Sequence, residues 1–236
     1  MTIGLSNGVF YGLQADPLAR FSDEGIRYCQ APETQAIELH CLDETMVDRL
    51  LNGPTIDLSY FSYISVHTPN LSYNGERNSQ KILTKLNLVC KRYSVNNLVF
   101  HTDKEMDWAT LASYKNLPIS LENMDERKTF GKTVSDLKPI LDRYGFKLTL
   151  DLQHCFVNDP SMQTALEFQE EFSDRLAEYH ISGFQKEFLH YPLFKTKQKE
   201  IINSLQYRNI PIIIESSFDQ FGEQEHEIRY IKNGLL

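Results

Sequence analysis

Tyr63-Ile64-Ser65-Val66-His67, Asn97-Leu98-Val99-Phe100-His101, Pro118-Ile119-Ser120-Leu121-Glu122 and Lys147-Leu148-Thr149-Leu150-Asp151 are successive short runs of one design, largely apolar and closed by a side chain that can bind a metal. A strand buried in a parallel sheet reads as a near-continuous apolar run, and strand ends of a (β/α)8 barrel face one shared mouth. Ligands far apart in sequence would therefore meet at one point.

Working outward, Ile3-Gly4-Leu5-Ser6 and Ala36-Ile37-Glu38-Leu39-His40 read as earlier strands, and Tyr179-His180-Ile181-Ser182 and Pro211-Ile212-Ile213-Ile214-Glu215 as later ones, giving eight in all. Helical apolar spacing separates them in Ile82-Leu83-Leu86-Val89-Cys90, Val134-Leu137-Ile140-Leu141, Leu166-Phe172-Leu176 and Ile201-Ile202-Leu205. Leu137 and Leu141 are one turn apart, and Tyr144 precedes Gly145, a helix-ending residue. Eight strands joined by right-handed helical crossovers predict an α/β fold, a single (β/α)8 TIM barrel over residues 1–236. A doubly wound open sheet is the alternative, but no glycine-rich phosphate loop follows the first strand.

The composition agrees with this fold and narrows the partners. A chain of 236 residues with 41% hydrophobic content can bury a large core. No apolar stretch reaches the roughly 18 residues of a membrane span, and Met1-Thr2-Ile3-Gly4 opens no basic-then-apolar leader, so a soluble cytoplasmic protein without a membrane partner is expected. Cys29, Cys41, Cys90 and Cys155 form no CxxC pair and are read as reduced thiols. The formal net charge of −8 and the lack of a Lys/Arg stripe count against nucleic acid as partner, because phosphate neutralisation supplies most of that affinity. Lys195, Lys197 and Lys199 are read as the solvated face of a helix.

Glu122, Asp151 and Glu215 offer hard oxygen donors and His180 an imidazole nitrogen, a set that accepts Mn, Mg, Zn, Co or Fe. Carboxylates gathered at one mouth repel each other and raise their own pKa values unless a cation neutralises them. A divalent metal is therefore the expected cofactor.

The strand ends Ser65-Val66-His67-Thr68-Pro69, Leu98-Val99-Phe100-His101, Leu121-Glu122-Asn123-Met124, Asp151-Leu152-Gln153-His154, His180-Ile181-Ser182-Gly183 and Ile214-Glu215 resemble the signatures of the xylose-isomerase-like TIM barrels. That superfamily includes sugar and sugar-phosphate isomerases and epimerases, endonuclease IV and the UV-damage endonucleases. The resemblance runs from the third strand to the eighth and identifies no substrate. It implies a metal on Glu122, Asp151, His180 and Glu215, with Glu122 and Glu215 also moving protons in an isomerase or epimerase of a small sugar, polyol or sugar phosphate. This reading, with a small carbohydrate as partner, ranks first at the sequence level. The alternative is a multimetal phosphoester hydrolase. There His67 and His101 would join Glu122 around a second ion, and His154 and His190 would hold a third. Two departures bear on that alternative: Phe188 stands where endonuclease IV has the aspartate of an Asp-x-His pair ending at His190, and Glu178 stands where the UV-damage enzymes have a lysine.

Asn7 and Asn123 are expected to orient ligands or substrate from behind. His40 ranks below the other histidines, with Glu38 beside it read as facing the other way, and His226 is read as lying on an exposed helix. Tyr11, Trp108 and Phe156 are candidates for the pocket wall. The native metal, the number of ions and the oligomeric state stay open.

Overall fold

The computed structural model describes residues 1–13, 16–186 and 189–235, without the side chains of Tyr11 and Leu189. Its strands are β1 Ile3–Ser6, β2 Ala36–His40, β3 Tyr63–His67, β4 Asn97–His101, β5 Ile119–Glu122, β6 Lys147–Asp151, β7 Leu176–Ile181, β8 Gly183–Gln185, β9 Leu189–Tyr191 and β10 Ile212–Ile214. Eight of them close a parallel barrel in the order β1-β10-β7-β6-β5-β4-β3-β2, while β8 and β9 form a separate antiparallel hairpin. The expected (β/α)8 barrel is the observed fold.

The helices are α1 Asp23–Tyr28, α2 Glu44–Asn52, α3 Arg77–Tyr93, α4 Trp108–Ser113, α5 Val134–Tyr144, α6 Leu152–Asn158, α7 Gln163–Glu171, α8 Leu193–Thr196, α9 Lys199–Asn203 and α10 Glu223–Gly234. Local chemistry sets their ends. In α5, Thr133 and Asp136 exchange hydrogen bonds in a capping box, and Gly145 stops the helix at φ 71°, a left-handed conformation that costs glycine nothing. Leu176 belongs to β7 and does not continue the helical spacing from Leu166; α7 ends when Phe172 takes a non-helical conformation. Lys195 and Lys199 lie on different short helices, and Lys197 between them is left-handed at φ 62°, so the three do not share one helical face.

Alternation along the strands separates two environments. Ile3, Leu5, Ile37, Leu39, Leu98, Phe100, Leu148 and Leu150 point outward and are fully buried in the hydrophobic layer beneath the helices. Inside the barrel the layer is polar: Asn97 Nδ2 on β4 donates to Thr149 Oγ1 on β6 at 3.2 Å and, across the barrel, to Glu178 Oε1 on β7 at 3.0 Å, while the Ser120 and Thr149 hydroxyls meet at 2.6 Å. The apolar sequence runs thus report the outer face, and the small polar residues between them line the interior. The hydrophobic core is a shell around a polar axis.

Phe100 lies fully buried in that shell, with the Tyr73 ring edge-on at 5.0 Å between centroids. Phe100→Ala removes this packing and leaves a cavity, and is expected to cost about 3–5 kcal/mol in a denaturant titration. A loss below about 1 kcal/mol would mean the outer shell is not where stability resides.

Candidate metal centre

Three ligand groups converge at the carboxyl ends of the strands: His67, His101 and Glu122; Glu122, Asp151, His180 and Glu215; and Asp151, His154 and His190. Within each, one potential ligand atom per residue lies within 4.8 Å of the others. Register explains the convergence. His101 pairs with Glu122, and Asp151 with His180, at the same level of the ladder. Glu215 lies just beyond β10, yet its N–H still donates to the Ile181 carbonyl at 3.0 Å, which holds it beside His180.

Asp151 reaches the site as the N-cap of α6: its Oδ1 accepts from the His154 N–H at 2.9 Å, leaving Oδ2 for the cluster. His154 follows on the first turn of α6. His190 is carried on β9 of the hairpin, with its Nδ1 on the Ser182 hydroxyl at 2.8 Å. The Phe188 position, on which the sequence comparison with endonuclease IV turns, lies outside the described residues. What the structure adds is that Asp151, from β6, accompanies His154 and His190, so that group has a carboxylate, shared with the Glu122, His180 and Glu215 group.

Two of the rings have Nδ1 held by a carbonyl; the opposite nitrogen is 3.4 Å from Glu122 in His67 and 3.9 Å from Asp125 in His154. His67 Nδ1 meets the Thr68 carbonyl at 3.2 Å and His154 Nδ1 the Asn123 carbonyl at 2.8 Å. A nitrogen that donates to a carbonyl carries the proton, so the opposite nitrogen keeps its lone pair for a metal. Asn7 and Asn123 act on the backbone behind the site. Asn7 Oδ1 accepts from the His40 N–H at 2.8 Å, and Asn123 clamps Asp151 in both directions, Oδ1 to the N–H at 2.7 Å and Nδ2 to the carbonyl at 3.0 Å.

The donor set fits divalent metal. His67 Nε2 and His101 Nε2 are 3.0 Å apart, and Glu122 Oε2 lies 3.4 and 3.0 Å from them. Tetrahedral ligands with bonds of 2.0–2.1 Å sit about 3.4 Å apart. Glu122 Oε2 and Asp151 Oδ2 are buried with no hydrogen-bond partner, the condition a cation would relieve.

Burial opposes charge on all of these groups, and their neighbours decide the outcome. Burial raises the Glu122 carboxyl, but His101, His180 and His67 hold it well below the usual range. Burial also works against Glu215, which His180 and His190 bring down. For Asp151 burial prevails and the pKa rises. Burial lowers His67, yet the Glu122 carboxylate 3.4 Å away and the charges of Glu38 and Glu215 carry it up to about 9. His180 and His154 are raised in the same way, whereas burial outweighs Glu122 at His101 and lowers it.

A cavity of about 230 Å³ opens over the ligands, with Arg127, Lys128, Asp125 and Met124 on one side and Val9 and Ser217 on another. Its basic pair is a feature the sequence reading does not single out; Lys128 Nζ is 2.6 Å from Asp103, and Arg127 is bound to Asp125. His40 lines the cavity, its ring 4.7 Å from that of His67. The expectation for Glu38 is corrected: it shares a strand face with His40, two residues on, and its carboxylate lies inside the barrel, 3.2 Å from His180 Nε2. Trp108 and Phe156 pack against the hydrophobic shell and are absent from the described cavity wall, while the Tyr11 side chain lies outside the described residues. His226 is exposed on α10.

No protein-family profile matches the sequence, and no curated protein is similar to it in sequence. The fold has solved counterparts. The 3-keto-D-glucoside 4-epimerase YcjR from E. coli superposes with a TM-score of 0.65 at 10% identity, over 99% of this chain and 99% of that one. Endonuclease IV from Thermus thermophilus gives 0.64 at 12% identity, over 100% and 99%. The probable 3-DHS dehydratase AsbF from Bacillus anthracis gives 0.63 at 15% identity, over 98% of each. At these identities the likeness shows the fold alone, a closed (β/α)8 barrel.

Protons on the raised histidines compete with metal. Affinity for Zn²⁺ or Mn²⁺ is therefore expected to rise between pH 6.5 and 9, with proton release on binding, measured by calorimetry in buffers of different ionisation enthalpy. In the metal-free protein the stability contributed by protonated His67 is complete below pH 6.5 and lost as pH rises through about 9. The chelated protein's Tm should fall across that window more in wild type than in His67→Ala. A pH-independent affinity would contradict these assignments.

Proposed function

We propose that the chain is a divalent-metal-dependent phosphoester hydrolase, with a cluster of ions held at the barrel mouth by the three ligand groups. The observation that carries this reading is the sharing of ligands: Glu122 belongs to two groups and Asp151 to two, so the groups adjoin around common carboxylates. A single-ion site needs no such bridges. The sequence alone ranks a sugar isomerase or epimerase first, because its four-ligand set is complete and neither charge nor length counts against it, while Phe188 is a departure from the hydrolase pattern. Asp151 beside His154 and His190 supports the reverse order. The imidazoles of His67, His101, His154, His180 and His190 favour Zn, Mn, Co or Fe over the oxygen-seeking Mg.

When bound, adjacent divalent ions activate water and stabilise both the attacking and leaving oxygens of an in-line displacement at phosphorus. The protein's own part is placement. Glu122 and Asp151 belong to adjoining groups, the bond of His67 Nδ1 to the Thr68 carbonyl leaves Nε2 facing inward, and Arg127 and Lys128 bring positive charge to the cavity for an anionic substrate. Asp125 and Asp103 hold those two cations in place. The cavity volume of about 230 Å³ and the net charge of −8 favour a small phosphoester over duplex nucleic acid. The second reading, a sugar isomerase or epimerase, is supported by the completeness of the Glu122, Asp151, His180 and Glu215 group on its own.

Metal analysis of protein purified without added salts separates the two. The expected result is two or three ions per chain, with His67→Ala or His101→Ala removing one, together with cleavage of an activated phosphodiester such as bis(p-nitrophenyl) phosphate. A single ion, unaffected by those substitutions and accompanied by solvent-proton exchange into a sugar C–H bond, would favour the isomerase. Glu122→Gln should lower turnover by about 100-fold or more while the protein stays folded, since an amide is a poor ligand and no base.

An anisotropy titration with plain, abasic and UV-damaged duplexes at two salt concentrations should show no binding tighter than the roughly 10⁻⁴–10⁻⁶ M of ordinary non-specific binders. Nicking of a damaged duplex would redirect the substrate assignment to DNA.

A further inference from the structure

Beneath the ligand groups, deeper in the barrel, lies a second set of charged side chains that the proposed reaction does not use. Glu38 on β2 and Glu178 on β7 are both fully buried and both approach the back of His180: Glu38 Oε2 is 3.2 Å and Glu178 Oε1 3.3 Å from Nε2. The front nitrogen, Nδ1, is 3.3 Å from Glu122 Oε1 and 3.3 Å from Glu215 Oε2. His180 thus stands between two pairs of carboxylates, one in the ligand cluster and one below it.

We propose that Glu38 and Glu178 are positioning residues for the metal centre: Glu178 accepts the Nε2–H of His180, Glu38 sets a second negative charge beside that nitrogen, and together they commit Nδ1 to the metal and offset positive charge that Glu122, Asp151 and Glu215 leave unbalanced. The inference rests on metal binding at His180 and not on the class of reaction. A metal-bound imidazole becomes a stronger donor at its other nitrogen, and an anionic acceptor there raises its basicity and fixes its orientation. The back nitrogen of His67 has a neutral partner, the Thr68 carbonyl. Two buried carboxylates at the His180 back nitrogen are a different provision.

The arrangement is built into the strands. Glu178 and His180 are two apart on β7 and share the inward face, and Asn97 Nδ2 donates to Glu178 Oε1 at 3.0 Å, holding it from across the barrel. Glu38 Oε1 and Oε2 and Glu178 Oε2 have no hydrogen-bond partner, nor do the neighbouring Ser65 Oγ and Asn97 Oδ1, all of them buried. Carboxylates buried with so few donors are costly to a fold unless positive charge lies close by. His180 and the metal in front of it supply that charge, which is more than the three upper carboxylates carry when several divalent ions are bound.

A double-mutant cycle on metal affinity tests this. Glu178→Ala should weaken binding of Zn²⁺ to the holoprotein's tightest site by about 10–100-fold, and Glu178→Gln, which keeps an acceptor oxygen but not the charge, by less. Glu38→Gln should also weaken it. In a His180→Ala background the Glu178→Ala loss should shrink to about twofold or less, because the carboxylate acts through the missing ring. The same fold-loss in both backgrounds would overturn the inference. Should Glu178→Ala fail to fold, ¹⁵N NMR of the zinc-loaded wild type decides: a proton on His180 Nε2 and metal on Nδ1 support the proposal, and the reverse tautomer overturns it. Wild-type protein that binds no divalent ion would overturn the metal reading itself, whereas tight binding with additive losses would overturn this inference alone.

Discussion

The Glu122 carboxylate is the constraint on which the rest depends. It is 1% exposed, and His67, His101 and His180 all lie within 3.4 Å of its oxygens. A buried anion is tolerated only where compensating charge surrounds it, and removing that charge costs far more than the pair contributes. No single strand can provide such surroundings. Glu122 on β5 needs His101 from the adjacent strand, His67 from the one beyond and His180 from two strands along on the other side. Closure of the barrel is thereby coupled to occupation of the site: the geometry that ends the sheet's edges also brings the imidazoles to the carboxylate.

Stability and chemistry are assigned to different layers of the same strands. Outward residues such as Leu39, Phe100 and Leu150 pack beneath the helices, while inward residues from Glu38 to Glu178 carry charge and hydrogen bonds. Alternation makes this division automatic, since one strand presents both faces. The asparagine clamps belong to neither layer. Asn123 fixes the backbone of Asp151 and, through its own carbonyl, the ring of His154, so a single residue between β5 and α5 sets two ligands on the next βα unit.

Much of this is legible in the sequence because the signal is local. Apolar runs ending in His, Glu or Asp locate most of the strands, and their ends locate Glu122, Asp151, His180 and Glu215. The start of β7 escapes because Leu176 fits helical and strand spacing equally well, and the turn that decides between them is made by the backbone at Phe172. Glu38 is a matter of parity: residues two apart on a strand face the same way, so His40 in the mouth already implies Glu38 in the barrel, against the expectation that it faces away. The pairing of Asp151 with His154 and His190 is illegible for a different reason. It depends on how an antiparallel hairpin folds back over the mouth, and no periodicity records that.

The hairpin bears on how such a site changes over evolutionary time. β8 and β9 stand apart from the barrel sheet, and His190 is tied back to it by the Ser182 hydroxyl and by its own carbonyl, which accepts from the Ser217 N–H at 2.9 Å. The barrel-strand residues His67, His101, Glu122 and His180 contact one another directly, so a change at one alters the surroundings of the rest. The hairpin's contribution is detachable. In the proposed metal centre, a substitution at His190 would delete one candidate ligand while the strand order, the outer shell and the other candidate ligands persist, so the number of ions held would be a property of a peripheral hairpin that selection can revise without rebuilding the scaffold.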